Sequence, residues 1–132
     1  MTKKKFLDPN IKNKSKTVED KIQLFDYEGI KLPLPTEIEI SESGTCNRSC
    51  SFCPRSAKDF IDKKEFITNE LHEKLCKELH KLNYKGTIRY SGFVEPILYK
   101  NIYNLISMVK NFLPDSNVEM VTNGDPLNLK RL

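Results

Sequence analysis

Three cysteines fall in one short run, Cys46-Asn47-Arg48-Ser49-Cys50-Ser51-Phe52-Cys53-Pro54. Their C-x3-C-x2-C spacing suits iron chemistry. Cys thiolate is the usual protein ligand of a 4Fe-4S cube, and three thiolates on four iron corners leave one iron open for a water, a substrate or a cofactor. A short curled loop can bring three sulfurs to one cube, with successive backbone N–H groups aimed at its negative charge.

Other uses of the thiols stay in view. A structural zinc site wants four ligands, and the fourth here is His72 or Cys76. That reading makes the chain a non-catalytic zinc-binding or interaction domain. Cys50 and Cys53 also form a C-x-x-C pair, but no thioredoxin-type strand and helix frame it, and Cys46 is then surplus. Disulfides are disfavoured, because Lys3-Lys4-Lys5 is followed by only two apolar residues and no signal-peptide h-region. The chain is therefore expected in the cytoplasm with reduced thiols.

At 132 residues, 38% hydrophobic and 30% charged, the chain has the composition of one soluble globular domain with a core. No apolar run approaches a membrane span. Much of the net charge of +4 sits near the start, where Lys3, Lys4, Lys5, Lys12, Lys14, Lys16 and Lys21 face Asp8, Glu19 and Asp20. Residues 1–35 read as a basic, solvated leader. A nucleic-acid arm usually carries Arg and interleaved aromatics, and this leader has no Arg, so nucleic acid is not the expected partner.

The elements that must carry the cysteines follow from periodicity. Pro33 and Pro35 punctuate the entry to regular structure. Glu37 to Ser41 alternate with period two and predict a strand, after which Ser43 and Gly44 open the cysteine loop. Thr68 and Asn69 are candidate helix caps, and Leu71, Leu75, Leu79 and Leu82 recur at helical spacing until Gly86. Cys76 reads as a packing residue beside that stripe. A second strand spans Thr87 to Ser91, and a turn, Gly92-Phe93-Val94-Glu95-Pro96, follows it. Ile102, Leu105, Ile106, Val109 and Phe112 form the apolar face of a second helix, stopped by Pro114 and Asp115. Val118 to Val121 form a third strand, ending in Thr122-Asn123-Gly124. Strand, helix, strand, helix, strand makes two βαβ units and a parallel sheet. In such sheets ligands bind at the carboxyl ends of the strands, where all three unusual segments fall.

The cysteine motif with an aromatic before its last Cys, a glycine turn ending in Glu-Pro and a T-N-G turn together resemble the N-terminal half of a radical SAM enzyme core. The resemblance runs from Thr36 to Leu127. It implies the first half of a partial (β/α)6 TIM-like barrel over residues 36–132. By this resemblance Cys46, Cys50 and Cys53 ligate a 4Fe-4S cluster whose open iron is chelated by S-adenosylmethionine (SAM). Phe52 matches the aromatic whose main chain lies near the adenine. The segment Gly92 to Glu95, with Val94 within it, matches the glycine-glutamate motif that contacts the SAM amino group, and Asn123 matches a position near the cofactor. The implied reaction is reductive cleavage of SAM to a 5'-deoxyadenosyl radical that abstracts hydrogen, with the electron from a donor such as a flavodoxin or ferredoxin. The wording C-N-x-x-C-x-x-C-P is most similar to the SPASM-type branch, which carries auxiliary clusters in a C-terminal extension.

Phe93 and Val94 stand where many members have a second glycine before the Glu, a departure that bears on turn geometry. The three strands are also fewer than the family's barrel has, so the sequence reads as a piece of a longer protein. The substrate, small molecule or peptide, is not legible. Arg48 and Arg55 read as solvated residues flanking the loop, and His72 and His80 as helix residues away from the strand ends. No general acid or base is nominated.

Overall fold

The computed structural model describes residues 22–127. Strands β1 (Leu24–Tyr27) and β2 (Ile30–Pro33) pair antiparallel. Their two-residue loop, Glu28-Gly29, has φ of 51° and 83°, the doubly positive combination of a type I′ hairpin. Asp26 Oδ1 accepts from the Gly29 N–H at 2.9 Å. The sequence reading has only a polar leader here, and the hairpin corrects it for residues 24–33. Glu-Gly is a weaker turn signature than Asn-Gly, and Leu24, Tyr27 and Ile30 all stay exposed instead of alternating in and out. The Lys-rich stretch before Ile22 lies outside the described residues.

A separate compact unit begins at Glu37. Strand β3 (Glu37–Ile40) leads into the cysteine loop. Helix α1 (Asn69–Lys81), strand β4 (Thr87–Tyr90), helix α2 (Ile102–Phe112) and strand β5 (Asn117–Met120) follow. The strands are parallel in the order β3-β4-β5, with Ile40, Tyr90 and Met120 in register at their carboxyl ends. This is the expected α/β arrangement.

Period two sorts the sheet into two chemistries. One face carries Ile38, Ile40, Ile88 and Tyr90, with Ile88 and Tyr90 at 1% and 0% exposure, and is the core face. The other carries Glu37, Glu39, Arg89 and Glu119. There Arg89 bridges two strands at once, donating to Glu37 Oε1 and to Glu119 Oε2 at 2.6 Å each.

Helix α1 starts where its cap dictates: Thr68 Oγ1 accepts from the Leu71 N–H at 3.2 Å. It stops earlier than Gly86 suggests, because Asn83 takes a left-handed φ of 51° just after the last turn. The buried stripe is also rotated from the leucine pattern. His72, Cys76 and Leu79 face inward, while Leu71 is 58% exposed. His72 can occupy the core because its polar atoms are used there. Nε2 lies 2.8 Å from the Tyr90 hydroxyl and Nδ1 lies 3.7 Å from Cys76 Sγ. Burial lowers the His72 pKa and pushes the Cys76 thiol up to about 11, so both sit neutral. On α2, Ile102, Leu105 and Val109 are buried as the periodicity predicts, and the two helices pack on each other. Among the described residues no helix is long and apolar enough to cross a membrane.

Candidate cofactor site at the strand ends

The three segments singled out by motif are brought together above the carboxyl ends of β3, β4 and β5, and backbone hydrogen bonds begin the assembly. Ser91 N donates to Ile40 O at 3.1 Å, Val121 N to Tyr90 O at 3.0 Å, and Glu95 N to Thr45 O at 2.8 Å. Because the strands are parallel and in register, each exits beside its neighbour. The cysteine loop, the Gly92–Glu95 turn and the Thr122–Gly124 turn therefore meet.

Cys46, Cys50 and Cys53 are free and partly exposed. The loop is curled by Cys53 N donating to Cys50 O at 2.9 Å, followed by a 3-10 turn from Pro54 to Ser56. N–H donors already face one sulfur: Cys46 Sγ accepts from Arg48 N at 3.4 Å, and Asn123 Nδ2 lies 3.9 Å away. Among the described residues, no three His, Cys, Asp or Glu side chains converge as ligands of a single ion. The two residues suggested as a fourth zinc ligand, His72 and Cys76, are in the core and turned to Tyr90 and each other. Neither is turned toward the loop cysteines, whose three free thiols are the ligand type that an iron-sulfur cluster takes. Phe52, between the last two cysteines, is 90% exposed.

Glu95 is the polar centre of the assembly, at 1% exposure. Oε1 accepts from Thr122 Oγ1 at 2.6 Å and from Ile97 N at 3.1 Å, and Oε2 accepts from Asn123 N at 2.7 Å. Thr122 Oγ1 in turn accepts from Gly124 N at 3.0 Å. Glu95, expected from the resemblance to meet the amino group of SAM, is thus also tied into the protein by both of its oxygens. Gly92 and Phe93 are exposed, whereas Glu95 is buried. Gly92 is required for internal reasons too. Its φ is +111°, and a Cβ there stands 2.2 Å from Ser41 Oγ.

Asn123 is held as well as holding. Its Nδ2 donates to Asn47 Oδ1 at 2.9 Å, and its Oδ1 accepts from Asp125 N at 2.9 Å. Asp125, which motif reading passes over, closes the circuit: Oδ2 accepts from Asn47 Nδ2 at 3.0 Å and from Arg48 Nε at 2.7 Å. Arg48 is consequently an ion-paired residue instead of a free solvated one. Arg55 departs further from its expected solvated state, with a side chain only 7% exposed. The usable signals were adjacency alone: Asn47 and Arg48 follow the first Cys, Asp125 follows T-N-G, and Arg55 follows Cys-Pro. Glu42, at the end of β3, is also fully buried, and burial raises its pKa.

Residues 40–132 match the family model of the radical SAM superfamily. The chain is 33% identical over 95 residues to the S-adenosyl-L-methionine-dependent 2-deoxy-scyllo-inosamine dehydrogenase of Niallia circulans, covering 72% of this chain and 38% of that protein. It is 29% identical over 92 residues to the probable GTP 3',8-cyclase of Thermococcus kodakarensis, covering 70% and 28%. Among solved structures it superposes on BtrN in complex with AdoMet and 2-DOIA with a TM-score of 0.69 and 31% identity, over 74% of this chain and 39% of that one. The chain therefore spans well under half the length of these relatives, and the β1–β2 hairpin precedes the matched region. With the motifs on their expected strand ends and the match running through them, the chain belongs to the radical SAM superfamily.

Proposed function

We propose that the protein is a radical SAM enzyme in which Cys46, Cys50 and Cys53 hold a 4Fe-4S cluster and the remaining iron takes SAM. The observation that carries this reading is the placement of three free thiols on one loop directly beside the Gly92–Glu95 and Thr122–Gly124 turns. The chemistry such a cluster supplies when bound is one-electron cleavage of the sulfonium C–S bond of SAM.

Each neighbouring residue of this chain has a definable task. Cys thiolates suit iron as soft ligands. Arg48 N and Asn123 Nδ2 donate toward Cys46 Sγ, and donors to a cluster sulfur raise its reduction potential. Phe52 offers an exposed ring and adjacent main chain to an adenine. The Gly92–Val94 backbone supplies carbonyls for an ammonium. Glu95 and Asp125 position the Thr122–Gly124 turn. The electron donor is a flavodoxin- or ferredoxin-like protein, and the reaction belongs in the cytoplasm, where such donors and reduced thiols coexist. The substrate is a small molecule or a peptide; relatives named as a 2-deoxy-scyllo-inosamine dehydrogenase and a GTP 3',8-cyclase are compatible with the former.

Anaerobic reconstitution followed by reduction in the presence of SAM tests the reading. The expected result is a brown protein with iron and acid-labile sulfide that releases 5'-deoxyadenosine and methionine. A colourless protein with stoichiometric zinc overturns it in favour of the zinc-domain reading.

A further inference from the structure

Arg55 is the one guanidinium of the strand-end loops that is drawn almost wholly out of water. Its Nη1 donates to two carbonyls from different segments, Gly44 O at 3.2 Å and Phe93 O at 3.1 Å. Its Nη2 pairs with Asp62 at 2.8 Å, and its Cζ lies 5.0 Å from the centre of the Phe60 ring. The backbone of Arg55 is tied as well, since its carbonyl accepts from Ser49 Oγ, between Cys46 and Cys50, at 3.2 Å. A fork with fixed N–H directions spanning carbonyls, carboxylate and ring is a task for Arg and not for Lys.

The surroundings leave this side chain little freedom. Gly44 passes so close to the Lys63 carbonyl that a Cβ there falls 1.6 Å from the oxygen, which fixes the loop on either side of Arg55. On its other side Arg55 lines a cleft of about 230 Å3 together with Gly44, Phe60, Phe93 and Val94. Phe93 and Val94 are the two residues at which this chain departs from the double-glycine form of the motif. Because a trans peptide is planar, a hydrogen bond at its carbonyl oxygen limits the movement of the whole unit. The hydrogen bond at Phe93 O therefore restrains the Phe93–Val94 peptide within the turn.

We propose that Arg55 is a positioning residue that locks the Gly92–Glu95 turn to the cysteine loop and thereby sets the affinity for SAM; this rests on the function proposed above. The cluster and the turn are then coupled through one side chain directly after the last cysteine. Arg55 does not ligate the cluster and does not carry a reacting atom.

The test uses the anaerobically reconstituted protein and its Arg55→Lys and Arg55→Gln variants, with Lys77→Gln on the outer surface of α1 as a charge-removal control. Iron and sulfide are counted, and SAM is titrated against the EPR signal of the reduced cluster. Both Arg55 variants are expected to load iron and sulfide as the wild type does, yet to need about tenfold more SAM for the half-maximal spectral change. Lys77→Gln should titrate as wild type. SAM-dependent titrations that are identical for wild type and both Arg55 variants overturn the inference and leave the proposed function standing, whereas a wild-type cluster indifferent to SAM overturns both. A wild type that forms no cluster overturns both. Where a variant fails to load, hydrogen exchange of the apo protein decides. Exchange at the Phe93–Glu95 amides about tenfold faster, with α1 protection unchanged, supports the coupling, and unaltered exchange at those amides overturns it.

Discussion

Two carboxylates hold the Thr122–Asp125 segment, one from beneath and one from within it, and they differ in almost everything but that task. Glu95 is 1% exposed and accepts from a hydroxyl and two backbone N–H groups contributed by two segments. Asp125 has 41% of its side chain exposed and accepts from Asn47 and Arg48 at the rim of the cysteine loop. Hydrogen-bond counts alone rank them as near equals. Burial separates them, because a donor orphaned in the core loses its partner without gaining water, while a donor at the rim exchanges one partner for another. The buried clamp is a foundation of the site, and the exposed clasp is a trim on its upper edge.

Removing the foundation should have the largest effect. Glu95→Ala removes the acceptor of the Asn123 amide and the Thr122 hydroxyl together, and is expected to cost roughly 2–4 kcal/mol in equilibrium denaturation. Hydrogen exchange should place the loss in the 121–125 turn and the 95–98 segment. A loss no larger than that of an average surface substitution contradicts the assignment of Glu95 as the hub. Asp125→Ala should have a much smaller effect. Its denaturation midpoint should stay close to wild type, and the remaining difference should shrink in molar salt, as expected of an exposed ion pair. A salt-independent loss breaks the comparison.

Acid provides the smallest and most diagnostic contrast. The Arg48 hydrogen bond holds the Asp125 carboxyl below its usual range. A carboxylate depressed in the folded state contributes stability that is fully present above its unfolded pKa and is lost as pH falls through the folded value. The difference between wild type and Asp125→Ala should therefore persist at neutral pH and close at pH values below the ordinary carboxylate range. A difference that grows on acidification has the wrong sign for this pair.

How much of this was legible in the sequence depends on distance along the chain. The alternation of Glu37 to Ile40 and the apolar face of α2 are local patterns, and each appears in the structure where the pattern puts it. The rotated stripe of α1 is a partial miss, because His72 reads as polar until Tyr90 is seen across from it. The hairpin was missed because its strands bury neither face in alternation. Arg55, Glu95 and Asp125 acquire their roles from partners that only the parallel register brings near: Phe93 for Arg55, Thr122 for Glu95, Asn47 for Asp125. Composition and spacing identify such residues as charged but say nothing about which carbonyl or amide will face them.

The most direct measurement is EPR of the anaerobically reconstituted, reduced protein with and without SAM, set beside a Cys50→Ala variant. A 4Fe-4S signal that changes when SAM is added and is absent from the variant is the predicted result. A wild-type protein that takes up zinc and gives no iron-sulfur signal, or a signal that survives Cys50→Ala unchanged, contradicts the assignment of the three cysteines.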